Sequence, residues 1–307
     1  MAPRHVVGPR PPLSTAARFH DVGVSGAARC WDGPQAVTPL TEDTPMTHGT
    51  TFPGTAERDP GTALPVVFLH GIRLSASMWG PVAGRVAAGR AVARPDLPGH
   101  GSRRGETFDL DTATAAVARA VDDVGGRAVL VGASLGGYVA IATAARHPDR
   151  VAGLLAIGCT TLPDRGSVLA YRALGSLLAR DPGRGDRLSE RGFRRMLPPE
   201  VAEAMVSGGV DGAVVPGVVR ALAGLDALGA LRSYPGPVWL VNGEWDHFRR
   251  HERAFLGACR QGRLAVWPGT HHITCLADTD RLVRTVEDVC AVVEHAAEAH
   301  RAGARTG

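Results

Sequence analysis

The stretch from Arg127 to Ala140 constrains the fold of this chain more than any other part of its sequence. It begins with an apolar run over residues 128–131, which is typical of a buried strand. A glycine-flanked serine follows, Gly132-Ala-Ser134-Leu-Gly136, and small residues then continue in a helical pattern to about Arg146. A Cβ atom at either glycine would collide with the backbone across such a sharp turn. The pattern therefore predicts a strand, a tight turn and a helix, with the Ser134 hydroxyl at the apex.

The five-residue motif is weak when it stands alone. With 39 glycines in 307 residues, a G-x-S-x-G pattern is expected by chance ~0.2 times in a chain of this composition. An ordinary strand-to-helix turn, in which the serine only caps the helix, has the same signature. The function of Ser134 therefore has to be argued from the rest of the chain.

Strand and helix patterns alternate on both sides of this turn. The predicted strands cover residues 64–69, 91–93, 128–131, 151–157, 237–243 and 263–267, and the predicted helices cover 75–88, 109–124, 135–146, 251–260 and 278–299. Such alternation predicts an α/β fold with a mostly parallel central sheet and helices on both faces. We expect the last residues, up to Gly307, to be frayed.

The alternation is interrupted between residues 161 and 234. This segment contains four helical pieces, at 167–178, 190–196, 199–206 and 214–228. We interpret it as a helical lid inserted into a core made of residues 61–160 and 235–300, and a helical packing layer away from the site is the alternative. Residues 1–60 are rich in proline and glycine and lack periodicity, so we expect them to be mostly disordered. Met46 is an alternative start of the chain.

The composition narrows the classes of function. All 34 basic residues are arginine, the formal net charge is +4, and the arginines are scattered, so nothing indicates a nucleic-acid partner. The five cysteines are odd in number and form no C-x-x-C pair, as is typical of free thiols in a reducing compartment. No apolar run approaches the ~18 residues of a membrane span, and the N-terminus lacks the apolar core of a signal peptide. We therefore predict a cytoplasmic location, and the sequence does not indicate the oligomeric state.

A serine nucleophile needs a base within hydrogen-bond reach and a carboxylate that orients that base. Asp246 follows the predicted strand 237–243, and His272 follows the strand 263–267. Two other acids compete with Asp246 for this role, Glu244 and Asp164, and His271 competes with His272. His247, His271 and His272 are candidate zinc ligands, but no metal-binding motif supports such a site.

Four motifs occur in the order in which they appear in the α/β-hydrolase family. They are His70-Gly71, Asp96-Leu-Pro-Gly-His-Gly101, Gly132-x-Ser134-x-Gly136, and Gly243-x-x-Asp246 followed by a turn that ends at His272. From Leu64 to Val293 the chain resembles a serine hydrolase of this family with a helical cap.

The resemblance implies roles for the motif residues. Ser134 would be the nucleophile, His272 the base and Asp246 the acid that orients it, and the backbone N–H groups of Leu135 and Ile72 would form the oxyanion hole. His70 is expected to support the loop that carries the oxyanion hole, and Asp96 and His100 to shape the next loop.

The chain departs from the family pattern in two places. The usual Gly-His before the last helix is His271-His272 here, and we favour His272 because Leu276 then falls where the family places an apolar residue. The first hairpin of the family is not visible in residues 40–63, so the sequence does not predict which strand forms that edge of the sheet.

The expected function is hydrolysis of a carboxylic ester or thioester of a small molecule through an acyl-enzyme, with no cofactor and no metal. A serine at the turn argues against epoxide hydrolase or haloalkane dehalogenase chemistry, which in this family uses a carboxylate nucleophile. The same residues are compatible with C–C bond hydrolysis, perhydrolysis or acyl transfer. A non-catalytic ligand-binding protein that keeps the fold is a further alternative.

Overall fold

The centre of the protein is a sheet of six parallel strands. A computed structural model describes residues 63–162 and 181–306. In chain order the strands are β1 (Val66–Leu69), β2 (Val92–Ala93), β3 (Ala128–Ala133), β4 (Val151–Ile157), β5 (Pro237–Gly243) and β6 (Gln261–Trp267). They lie in the order β2-β1-β3-β4-β5-β6, and every neighbouring pair is parallel. The predicted α/β class with a parallel sheet is confirmed.

Nine α-helices accompany this sheet within the described ranges. They are α1 (Gly80–Val86), α2 (Leu110–Asp123), α3 (Leu135–Arg146), α4 (Pro182–Met196), α5 (Pro199–Ser207), α6 (Val215–Ala223), α7 (Ala227–Ser233), α8 (Glu252–Ala258) and α9 (Thr279–Thr306). Short 3₁₀ turns cover Ala76–Trp79, Gly101–Arg103, Pro148–Arg150 and Thr274–Leu276. Among the described helices, none has the length and apolarity that crossing a membrane would require.

Two hydrophobic clusters cover the two faces of the sheet. Successive strand residues point to opposite faces, so Val66 and Phe68 belong to the cluster with α1 and α9, whereas Val67 and Leu69 belong to the cluster with α2, α3, α7 and α8. Phe68 and Leu69 are fully buried, and each stabilises the fold by about 1.5–3 kcal/mol. The predicted helices on both faces are confirmed.

The strand order reverses between β1 and β3. The chain runs from β1 to β2 in one direction across the sheet, whereas it runs from β3 to β4 in the other, and the register pairs Leu69 of β1 with Gly132 of β3. In open parallel sheets a crevice forms beyond the carboxyl ends of the strands at such a reversal. The loops after β1 and β3 both begin at this crevice, and they carry Ile72 and Ser134.

The helices between β4 and β5, here called the helical insertion (α4–α7), belong to two environments. Val201, Ala202 and Met205 of α5 join the cluster of α1 and α9, while Leu231 of α7 is buried in the cluster with α3. Therefore α7 is a packing layer of the core. The predicted helix at 167–178 lies outside the described residues, as do the expected disordered segment 1–60 and all but the last residue of the range 40–63, where the family's first hairpin was sought.

Several element boundaries differ from the predictions. The helix expected over 214–228 is two helices, because the chain leaves α6 at Gly224 and Asp226 caps α7 by accepting from Gly229 N at 2.8 Å. The helix expected to begin at residue 190 begins at Pro182, where Asp181 accepts from Arg184 N. The last helix, which was expected to end at about residue 299, continues to Thr306.

Candidate active site

Ser134 lies in the tight turn between β3 and α3, with φ 53° and ψ −115°. Such a left-handed conformation is unfavourable for a residue with a side chain, and it persists only where the surroundings enforce it. The glycines allow the turn, because a Cβ on Gly132 would collide with the carbonyl of Gly136, and one on Gly136 would collide with the carbonyl of Leu69. Ser134 N also donates to Ile157 O of β4 at 2.8 Å.

Asp246 lies after β5, and its side chain has no exposed surface. Its Oδ2 accepts from His272 Nδ1–H at 2.9 Å, and its Oδ1 accepts from Phe248 N at 2.7 Å. Burial by itself would raise the pKa of this carboxyl, but the hydrogen bond and charge of His272, with the Phe248 N–H, hold the pKa below its usual range. Asp246 is therefore ionised at neutral pH.

His272 follows β6 and is partly exposed, with 16% of its side chain accessible. Because Nδ1–H donates to Asp246, the neutral ring has its lone pair on Nε2, where it can accept a proton. The Phe248 ring lies against the imidazole, with centroids 4.5 Å apart. His271 is exposed, and its backbone N donates to Thr274 Oγ1 at 2.7 Å. The structure thus places His272, and not His271, beside Asp246.

Gly158 connects the serine turn to this acid–base pair. A Cβ on Gly158, which has φ +62°, would lie 2.9 Å from His272 Nδ1 and 3.0 Å from Asp246 Oδ2. The preceding residue, Ile157, accepts the hydrogen bond from Ser134 N. Ser134, Asp246 and His272 are therefore gathered at one point of the sheet edge. No direct hydrogen bond joins Ser134 Oγ to His272 in the described structure, and such bonds in ligand-free sites often form only with substrate.

The predicted oxyanion donors belong to the residue after Ser134 and to the loop after β1. Leu135 is the first residue of α3, so its N–H has no partner inside the helix and points along the helix dipole. Ile72 is in the loop after β1, and a Cβ on the neighbouring Gly71 would lie 3.8 Å from Ser134 Cβ. Both backbone N–H groups are therefore close to the serine.

His70 is buried below this loop with both ring nitrogens engaged. Nδ1–H donates to Gly71 O at 2.9 Å, and Nε2 accepts from Leu97 N at 3.0 Å. Burial, followed by the neighbouring His100, lowers the pKa of His70 to about 3. A neutral, fully bonded imidazole of this kind supports the loop and is not available as a base.

Asp96 and His100 hold the loop after β2. Asp96 accepts from Ala76 N at 2.7 Å and from Ser102 N and Oγ at 2.8 Å each. Burial opposes ionisation of Asp96, but these hydrogen bonds keep its pKa below the usual value. His100 is 1% exposed and its Nδ1–H donates to Pro98 O at 2.9 Å.

The competing residues lie elsewhere or outside the described ranges. The Glu244 carboxylate accepts from Gly269 N at 2.8 Å, on the turn before His271, and Asp164 lies outside the described residues. In the part of the chain that the structure describes, no three His, Cys, Asp or Glu side chains are arranged to hold a metal ion. Cys159, Cys259, Cys275 and Cys290 are free thiols.

Two sets of contacts around the site have no local signal in the sequence. Asn242 of β5 donates to Thr160 Oγ1 at 2.9 Å and to Glu252 Oε2 at 3.1 Å, which ties the loop after β4 to the segment that carries Asp246. Arg73 reaches Asp186 of α4 with Nη2···Oδ1 at 2.9 Å. Thr160 and Asn242 are 82 positions apart in the chain, and Arg73 and Asp186 are 113 positions apart, so only the folded structure brings these pairs together.

The chain matches the model of one protein family. That model, described as an alpha/beta hydrolase family, matches residues 66–286. The match contains all of the strands and every candidate site residue described above.

Curated relatives and a solved structure are similar to the chain. A pimeloyl-[acyl-carrier protein] methyl ester esterase of Neisseria meningitidis serogroup C is 31% identical over 166 residues, 52% of this chain and 62% of that protein. A protein of the same name from Nitrosospira multiformis is 27% identical over 258 residues, 72% of this chain and 92% of that protein. A thermophilic esterase from Thermogutta terrifontis superposes with a TM-score of 0.63 at 22% identity, over 76% of this chain and 91% of its own. The alignment with the Neisseria protein thus spans less than two thirds of that relative's length.

Proposed function

The chain belongs to the alpha/beta hydrolase family, and from this premise we propose that it is a serine hydrolase that cleaves a carboxylic ester or thioester of a small molecule. The proposed catalytic residues are Ser134 as nucleophile, His272 as general base and Asp246 as the acid that orients it. A cytoplasmic location, which the free thiols support, is part of the same proposal.

One observation carries the proposal. The Nδ1–H of His272 donates to a buried, ionised Asp246 at 2.9 Å, which fixes the tautomer with a free lone pair on Nε2. This imidazole lies across Gly158 from a serine held in a strained turn. A buried carboxylate, an oriented imidazole and a strained serine are together the parts that an acyl-transfer site needs.

In the proposed acylation step, Ser134 Oγ attacks the acyl carbonyl carbon while His272 Nε2 takes the hydroxyl proton. Asp246 stabilises the imidazolium that forms, because its charge is close and shielded from water. When the tetrahedral intermediate collapses, the imidazolium returns the proton to the leaving alcohol or thiol. The product is an acyl ester on Ser134.

In the proposed deacylation step, water takes the place of the leaving group and His272 again acts as base. Both steps place negative charge on the former carbonyl oxygen, and we assign its stabilisation to the N–H groups of Leu135 and Ile72. One such donor lowers the barrier by about 3 kcal/mol. The free acid leaves and Ser134 is regenerated.

The curated relatives support an ester as the bond that is cleaved, because their names describe methyl ester esterases. We therefore place carboxylic esters of acyl chains first among the candidate substrates, and thioesters second. No step of this mechanism needs a cofactor, since nucleophile, base and oxyanion donors are all protein groups.

We also propose that part of the helical insertion acts as a cap over the site. Support comes from α4, whose Asp186 and Ser189 contact Arg73 in the loop of the proposed oxyanion hole. Val214, between α5 and α6, lies against Gly99 of the loop after β2. We assign the cap to α4 and the segment between α5 and α6, because α5 and α7 both pack in the core clusters.

A fluorophosphonate probe with intact-mass detection tests the proposed function. We expect wild-type protein to gain one adduct, and both Ser134→Ala and His272→Ala to lose it. Ser233→Ala is the matched control, because Ser233 is an exposed serine at the end of α7 whose Oγ donates to Ala230 O. Folded wild-type protein that gains no adduct would contradict the hydrolase proposal and favour a non-catalytic ligand-binding protein.

A further inference from the structure

Arg73 has an unusual backbone conformation for a residue of the loop after β1. It lies two residues after Gly71 in the loop of the proposed oxyanion hole, and it has φ +68°. Only two residues other than glycine have positive φ in the described chain, Arg73 and Ser134. Strain of this kind concentrates at functional sites and persists only where contacts enforce it. The question is which contacts enforce it at Arg73.

The side chain of Arg73 is held by α4. Its Nη2 donates to Asp186 Oδ1 at 2.9 Å and to Ser189 Oγ at 3.0 Å. Arg73 and Asp186 are 20% and 17% exposed, so water screens this ion pair much less than one on an open surface. Among the described residues, none accepts a hydrogen bond from the buried Arg73 Nε, an unfavourable feature that the ion pair has to offset.

The backbone of the same loop is held by the segment between α5 and α6. Asp211 N donates to Arg73 O at 3.0 Å, and Gly208 N donates to Ser77 Oγ at 3.2 Å. The approach is close, because a Cβ on Gly208 would collide with Ser75 Oγ. The helical insertion therefore holds both the carbonyl and the guanidinium of Arg73.

Ile72 immediately precedes Arg73, and its N–H is a proposed oxyanion donor. The peptide that carries this N–H lies between His70 and Arg73 in the chain. Leu97 N donates to the ring of His70, and α4 holds the guanidinium of Arg73. An oxyanion donor works only when it is already aimed at the oxygen of the transition state. Any rotation of the Arg73 backbone toward a relaxed φ would turn the neighbouring Ile72 peptide.

We propose that Arg73 is a positioning residue that aims the Ile72 N–H, and that its ion pair with Asp186 makes the oxyanion hole depend on the helical insertion. This inference rests on the proposed hydrolase function. Arg73 touches no reacting atom in it, and acts through the backbone of Ile72.

The test is a double-mutant cycle of Arg73→Gln and Asp186→Asn in the full chain, with an ester substrate that the wild type hydrolyses. We expect each single variant to lower kcat by roughly 10- to 100-fold with KM within about twofold, because loss of an oxyanion contact acts on the transition state. The double variant should be little worse than Arg73→Gln, since both changes break one contact. A boronic acid inhibitor, which mimics the tetrahedral intermediate, should lose affinity in parallel with kcat/KM.

Matched variants separate positioning from a merely structural role. Arg194→Gln breaks another ion pair of α4, with Glu203 at 2.9 Å, and should leave kcat unchanged. Arg73→Lys keeps the charge and should restore part of kcat. If Arg73→Gln does not fold, Asp186→Asn alone carries the test, because it leaves the loop sequence intact.

The outcomes distinguish the two proposals. Wild type that neither hydrolyses esters nor reacts with the fluorophosphonate probe would remove the hydrolase function, and this inference with it. If the wild type is active and the Asp186→Asn variant keeps its kcat within twofold of wild type, only the proposed role of Arg73 is overturned. Additive losses in the cycle would also overturn it, because Arg73 would then not act through Asp186.

Discussion

The loops after β1 and β6 each carry a histidine at the same edge of the sheet, yet the two histidines are in opposite situations. His70 is fully buried, and both of its nitrogens bond to the backbone, to Gly71 O and Leu97 N. His272 is 16% exposed, and one nitrogen bonds to Asp246. The difference lies in what surrounds each ring, since the side chain is the same.

The surroundings of each ring therefore decide whether a histidine supports a loop or is suited to act as a base. A ring with both nitrogens engaged in a dry pocket is held neutral and rigid, so it fixes the loop that carries Ile72. A ring with one nitrogen bonded to a carboxylate keeps an open lone pair on the other, so it is suited to proton transfer. Replacing each histidine in turn tests this contrast.

Replacing the proposed base should have the largest effect. We expect His272→Ala to lower kcat/KM for ester hydrolysis by roughly 10⁴-fold, because Ser134 loses the group that takes its proton. Steady-state kinetics on a chromogenic ester measures this. His271→Ala is the matched control, since His271 is exposed and adjacent, and it should stay within about twofold of wild type. A large loss in His271→Ala together with an active His272→Ala would reverse the assignment.

Replacing the supporting histidine should act first on stability. We expect His70→Ala to lower the free energy of unfolding by about 3 kcal/mol, because it opens a cavity and leaves the buried Leu97 N without its partner, while Gly71 O keeps only the longer bond from Leu74 N. Urea denaturation followed by circular dichroism measures the change. His147→Ala, a partly buried histidine at the end of α3, provides the comparison and should cost about 1 kcal/mol or less. Equal losses in both variants would mean that His70 has no special supporting role.

The sequence was sufficient to predict the sheet and the edge at which its strands end. Apolar runs such as Val151–Ile157 can be buried on both sides only as strands of a covered sheet, and the glycines around Ser134 permit one kind of turn. Because parallel strands end at one edge, the order of the motifs already predicted that Ser134, Asp246 and His272 would lie near each other.

The sequence was not sufficient to predict the helix boundaries of the helical insertion or its contacts with the core. Asp226 was a capping signal inside an apolar pattern, and the pattern alone predicted one long helix where the structure has two. The Arg73–Asp186 pair joins residues 113 positions apart, and no local pattern identifies which of many arginines and acids will meet. Tertiary packing decides such pairs.

The smallest predicted effect is the part of the pH dependence of the unfolding free energy that comes from His70 alone. Its pKa is 6.5 in the unfolded chain and about 3 in the fold, chiefly because burial disfavours the charged ring. Between these values the unfolded chain binds more protons, so this contribution to stability is fully present above pH 6.5 and is lost as the pH falls toward 3. The slope between pH 6 and 5 is about 1 kcal/mol per pH unit. His100, with its ring centroid 4.9 Å away, and Asp96, 4.0 Å away, remain in every variant and contribute to both curves.

The comparison of wild type with His70→Gln isolates the contribution of His70 to the pH dependence of stability. We expect the difference in unfolding free energy between the two to shrink by about 1 kcal/mol from pH 6 to pH 5, because glutamine does not titrate. In wild type, the His70 ring-proton shift in NMR should stay constant over the same range, because a ring that takes up no proton there does not respond to the pH. A His70 shift that moves with a midpoint near 6 would show that the ring reaches water, and it would remove the contrast between the loops after β1 and β6 even if the variant does not fold.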